Sequence, residues 1–87
     1  KDAFVWTRHA SENGHRKAQY LLAKMYLNGS GTSKNIVEGY AWMNVVVAQG
    51  NQKADEVIKK IRLTDRMLAE AQELSLTLWN NYVSPFN

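Results

Sequence analysis

Eighty-seven residues make one small domain, and a chain of this size buries only ~60–65% of its unfolded surface, so its stability margin is thin. The absence of cysteine excludes disulfide staples, thiolate zinc sites and cysteine nucleophiles. Apolar runs reach only four residues, far short of a membrane span, and a net charge of +3 falls well below the dense basic stripe of a nucleic-acid binder.

The charge is uneven. Residues 1–34 carry six Lys/Arg against Asp2 and Glu12, net +4, whereas residues 35–87 carry five against six acids, net −1. A basic first half suits an acidic partner surface. The chain opens on Lys1 rather than Met and shows no signal peptide, which suggests that an upstream portion has been removed.

The first helix is predicted from about Asp2 to Asn13, with Ala3, Trp6 and Ala10 on one stripe and Gly14 in the left-handed position that ends it. The second runs from about His15 to Asn28, where Ala18, Leu21, Leu22, Met25 and Tyr26 recur at three- and four-residue steps as one buried face. Gly29 and Gly31 then break the chain into a short loop. Asn35 followed by Glu38 is a capping box that starts the third helix, which continues to about Gln49 and stops at Gly50. That helix is apolar almost all round, so it must be sandwiched between neighbours. Val45-Val46-Val47 favours a strand by propensity, but packing overrides ~0.5 kcal/mol per residue and the segment is predicted helical. A fourth segment covers Gln52 to Arg62. Thr64 then caps a last helix, with Leu63 placed to staple onto Leu68 and an apolar stripe of Met67, Leu68, Ala71, Leu74, Leu78 and Tyr82, until Pro85 forbids continuation.

These elements repeat. Shifted by 36 residues, Trp6 falls on Trp42, Gly14 on Gly50, Lys17 on Lys53 and Ala18 on Ala54, while Phe4 meets Tyr40 and Leu22 meets Ile58. A period of this length belongs to a helix–turn–helix unit stacked on its own copies, because one unit cannot bury its apolar face alone. The fold expected is all-α, an α/α superhelix of antiparallel hairpins in a right-handed solenoid. Its parts are a half repeat at 1–14, a full repeat at 15–50, a degenerate repeat helix at 51–63, a capping helix at 64–82 and a tail at 83–87. Trp6 and Trp42 are expected in the core and Trp79 half exposed.

The run Gly14-x-x-x-Ala18-Gln19-Tyr20-x-Leu22-Ala23-x-Met25-Tyr26-x-x-Gly29-x-Gly31, followed by Asn35-x-x-x-Gly39-x-x-Trp42 and closed by Gly50 and Ala54, resembles the Sel1-like repeat, a cousin of the tetratricopeptide repeat. Asn35 stands where that family usually has Asp, Gly39 where it has Ala, and Val46 where it has a small residue. The last helix is similar to the tail helix that closes such arrays. The resemblance implies a non-enzymatic α-solenoid that binds a protein or peptide on its concave face, without a cofactor. An alternative is a scaffolding or regulatory segment that packs on a catalytic or membrane-anchored domain upstream. Because the chain opens on the second helix of a unit, it reads as the C-terminal end of a longer array, whose truncated N-terminal end is placed to pair with a copy of itself. The compartment stays open between periplasmic or secreted and cytoplasmic, in a bacterium.

In stacked hairpins the first helix of each unit lines the concave side. There the candidate binding stripe is Lys17, Tyr20, Lys24 and Leu27, with Lys53, Glu56 and Lys60 at matching positions of the fourth segment. Lysines flanking a tyrosine suit an acidic or aromatic peptide. Other motifs are set aside. His9, Glu12 and His15 step by three across a glycine break, which is not a zinc-binding helix pattern, and Gly29-Ser30-Gly31 follows a helix and lacks the lysine of a phosphate loop.

Overall fold

The computed structural model describes residues 2–86. Along these run α1 (Asp2–Glu12), α2 (Arg16–Asn28), α3 (Ile36–Ala48), α4 (Gln52–Ile58) and α5 (Asp65–Tyr82), with a 3-10 turn at Ser84–Phe86. There is no strand among the described residues, and the three valines at 45–47 are helical. Val45 and Val46 are buried, so side-chain packing outweighs their β preference.

Side-chain caps set the helix starts. The His15 Nδ1 accepts the Ala18 N–H at 3.3 Å, the Asn51 Oδ1 that of Ala54 at 3.0 Å and the Thr64 Oγ1 that of Met67 at 3.1 Å. Asn35 Oδ1 likewise accepts from the Glu38 N–H at 3.0 Å. The reciprocal half of that capping box is not formed, because the Asn35 N–H donates to the Tyr26 carbonyl at 2.9 Å and frees the Glu38 side chain to turn elsewhere. α1 ends in a Schellman motif: His15 N–H reaches Ala10 O at 3.1 Å and Gly14 N–H reaches Ser11 O at 3.2 Å. Gly14 has φ +83°, and a Cβ there would lie 2.6 Å from the Phe86 ring. The C-terminal tail thus folds back over the first interhelical turn.

α3 is the hub, packing against α2, α4 and α5. Trp42, Met43, Val45 and Val46 fill the core around it, joined by Leu22 and Ala23 of α2 and Leu78 of α5. Two devices bring the helices close. At Gly39 a Cβ would fall 2.6 Å from Leu27 Cγ, so glycine lets α2 and α3 approach there. Against α5, buried Ser75 lies within 3.3 Å of the Ala41 carbonyl and 2.8 Å of the Ala71 carbonyl, and it accepts from Asn44 Nδ2 at 3.2 Å.

Gln19 is fully buried. Its Nε2 donates to Ser11 O at 3.0 Å and Tyr82 O at 3.2 Å, and its Oε1 accepts from Gln49 Nε2 at 2.8 Å. Two of these carbonyls belong to the last turns of α1 and α5, where helical carbonyls lack partners within the helix. One amide therefore serves the ends of three helices besides its own.

Three expectations are corrected. Trp6 is 73% exposed whereas Trp42 is 3% exposed. Trp42 shares its pocket with Leu22 and Leu78 and stacks on Tyr82 at 5.8 Å, and nothing among the described residues plays those parts for Trp6. The inner face of α1 is instead Phe4, Thr7 and Ser11, with Phe4 set edge-on to Tyr26 at 5.5 Å. Leu21, placed on the buried stripe of α2, is 52% exposed, and Gln19 and Ala23 take the interior. α4 stops at Ile58, not Arg62, because the N–H groups of Lys60 and Ile61 turn back onto Val57 and Ile58 and close a tight last turn. A seven-residue helix packed chiefly on α3 has little tertiary support for a further turn. Trp79 is half-buried.

Candidate functional site

The basic stripe foreseen on α2 and α4 is divided by the fold. Lys17, Tyr20 and Lys53 come together with Leu21 and Asn51 around a shallow depression of about 290 Å³ between α2 and the start of α4. The Lys24 ammonium lies 5.5 Å from the centroid of the Tyr20 ring, within cation–π range, which orients the ring beside the depression. Exposed Glu56 lies on α4 outside this depression, and exposed Lys60 sits in the turn beyond the helix. Leu27 is partly buried against the core, facing Gly39, so its side chain belongs to the α2–α3 interface.

A second pocket, of about 110 Å³, lies among α1, α2, α3 and α5 above Leu22 and Leu78. Its walls are Arg8, Glu12, Tyr26, Glu38, Trp42 and Tyr82. Arg8 Nε donates to Glu12 Oε2 at 3.2 Å, and that bond raises the guanidinium further. Burial pushes the Glu38 carboxyl above its ordinary value, with Arg8 pulling partly the other way. Burial, and then Glu38, raise the Tyr26 phenol. Sequence reasoning missed this pocket because Glu38 was absorbed into a capping box. A signal was present: Arg8 and Glu12 carry charge where the repeat, 36 residues on, has Asn44 and Ala48.

A third concavity, of about 280 Å³ and mostly apolar, runs between α3 and α5 along Asn44, Val45, Ala48, Ser75, Leu76 and Trp79. No three His, Cys, Asp or Glu side chains converge as metal ligands among the described residues. No helix among them is long and apolar enough to cross a membrane.

No protein-family model matches the chain. A solved structure does: a protective antigen present in uropathogenic Escherichia coli strains, with the SLR fold, superposes at a TM-score of 0.83 over 94% of this chain with 26% identity. The chain has the Sel1-like repeat fold. The repeat covers 18% of that antigen. It is also 32% identical over 53 residues to the chitin synthase regulator SKT5 of Malassezia restricta, a match over 61% of this chain and 4% of the regulator. The chain thus spans less than a fifth of either relative. Sel1-like hairpins stack into helical-repeat surfaces that serve protein interaction.

Proposed function

We propose that this Sel1-like repeat is a non-catalytic adaptor that binds an acidic or aromatic segment of a partner protein along Lys17, Tyr20, Lys24 and Lys53. The observation that carries the reading is the pairing of Lys24 with the Tyr20 ring beside a depression flanked by two further lysines. Tyrosine offers contact area at small entropic cost, and the lysines draw an acidic segment in and raise its association rate. Lys17→Glu with Lys24→Glu tests it, using a fluorescent peptide of alternating Glu and Phe as the probe. Both lysines are exposed, so thermal stability stays unchanged while affinity falls and its salt dependence flattens. Equal affinity of the double variant would refute the reading.

A second reading is a regulatory or scaffolding segment that packs on another part of the same longer protein. The exposed Trp6 favours it, since a large ring left in water is suited to cover by a neighbouring surface. The relative named as a chitin synthase regulator, far longer than this chain, is consistent with such a role.

A further inference from the structure

The pocket among α1, α2, α3 and α5 holds two carboxylates and one guanidinium. Arg8 is engaged by Glu12 at 3.2 Å in an i, i+4 pair. Glu38 has no ion-pair partner among the described residues, although it is partly buried and sits beside three aromatic side chains. The pocket therefore carries one surplus negative charge, held where water is partly excluded and where attraction to an incoming cation is less screened than at the surface. We infer that this pocket accepts one cationic side chain, the ammonium of a lysine or the guanidinium of an arginine, from a protein partner. Glu38 supplies the charge, and the half-buried Tyr26 and Tyr82 supply aromatic walls suited to a cation, with Trp42 packed behind Tyr82.

Size and chemistry narrow the occupant. A volume of about 110 Å³ admits the head of one side chain and not a helix or a bulky aromatic residue. An anion would meet the surplus negative charge. A neutral apolar side chain would leave the Glu38 carboxylate desolvated without a partner, which is costly. A divalent metal would want a third donor, and no such third side chain stands near among the described residues. Arg8 repels the incoming cation, but Glu12 draws that repulsion down. The interaction reading above enters only in making a protein the source of the side chain; the site lies apart from the lysine-lined depression.

The test is an NMR titration of the 87-residue chain with small amides: N-acetyl-lysine methylamide, N-acetyl-arginine methylamide, the neutral norleucine analogue and the glutamate analogue. The Trp42 indole N–H reports on the pocket, with Trp6 and Trp79 as internal references. The cationic amides should shift Trp42 saturably with Kd on the order of millimolar, as suits a single side chain, while norleucine leaves it still. Glu38→Gln should weaken the response ~tenfold, as loss of a partly desolvated charge partner does. Arg8→Gln should strengthen it, a gain that mere loosening of the fold would not produce. Lys17→Glu with Lys24→Glu should leave it unaltered, so failure here and failure of the adaptor reading are separable. The inference is overturned by no saturable shift, by an equal response in folded Glu38→Gln, by an equal response to norleucine, or by preference for the glutamate amide, which would make Arg8 the centre of an anion site.

Discussion

α1 and α3 occupy equivalent places in a 36-residue repeat, and their tryptophans end in opposite surroundings. Trp42 is stacked on Tyr82 and shut away beside Leu22, while Trp6 stands in water. The same residue at the same position of the same unit is therefore core or surface according to what packs on the helix. In a stacked architecture burial is a property of the neighbour as much as of the sequence.

The sharpest way to break this comparison is to truncate both rings. Trp42→Ala should cost ~3–5 kcal/mol, as loss of a buried indole does, and Trp6→Ala should stay within ~0.5 kcal/mol, as exposed substitutions do. Chemical denaturation of the two variants side by side reads the difference, and similar losses would mean that Trp6 is covered in solution. Next comes Gln19→Leu. It strips partners from Ser11 O, Tyr82 O and the Gln49 amide, which should cost ~2–3 kcal/mol by the same measurement. Gly14→Ala follows, since φ +83° strains an alanine and its methyl would press on Phe86. A loss of ~1–2 kcal/mol is expected, and Phe86→Ala in the same chain should recover the steric part alone.

The smallest effect is one of pH. Burial raises the folded pKa of Glu38, so between the ordinary carboxylate value and that raised value the folded chain binds a proton that the unfolded chain does not. The contribution of this group to stability consequently grows as pH falls through the folded pKa and is absent above it. The melting-temperature difference between the wild-type chain and Glu38→Gln should be flat near neutrality and shift in favour of wild type on acidification. A flat difference throughout would mean that Glu38 is more solvated than its pocket implies.

Helix starts were legible because capping is local chemistry: Asn35 and Thr64 act within three residues of themselves. The apolar girth of α3 announced its central place for a similarly direct reason, as only a sandwiched helix can carry so few polar residues. Long-range polar contacts left no such trace. Gln19 reads as an ordinary helix surface residue until Tyr82, 63 positions away, is brought beside it. Glu38 carries a capping signal and a pocket role at once, and sequence displays only the first. Leu21 and Trp6 were assigned inward because periodicity gives the apolar face of a helix without saying whether anything lies against every part of it.

Solenoids ordinarily hold together link by link, and their terminal units fray without disturbing the rest. Gln19 alters that here, because a single amide fastens the close of α1 and the close of α5 to the body of α2. Peeling α5 away would leave that amide short of an acceptor in a dry interior, and so would unwinding the end of α1. The ends of α1 and α5 are thereby tied into one all-or-none melting event, held by a locked clasp instead of a loose flap.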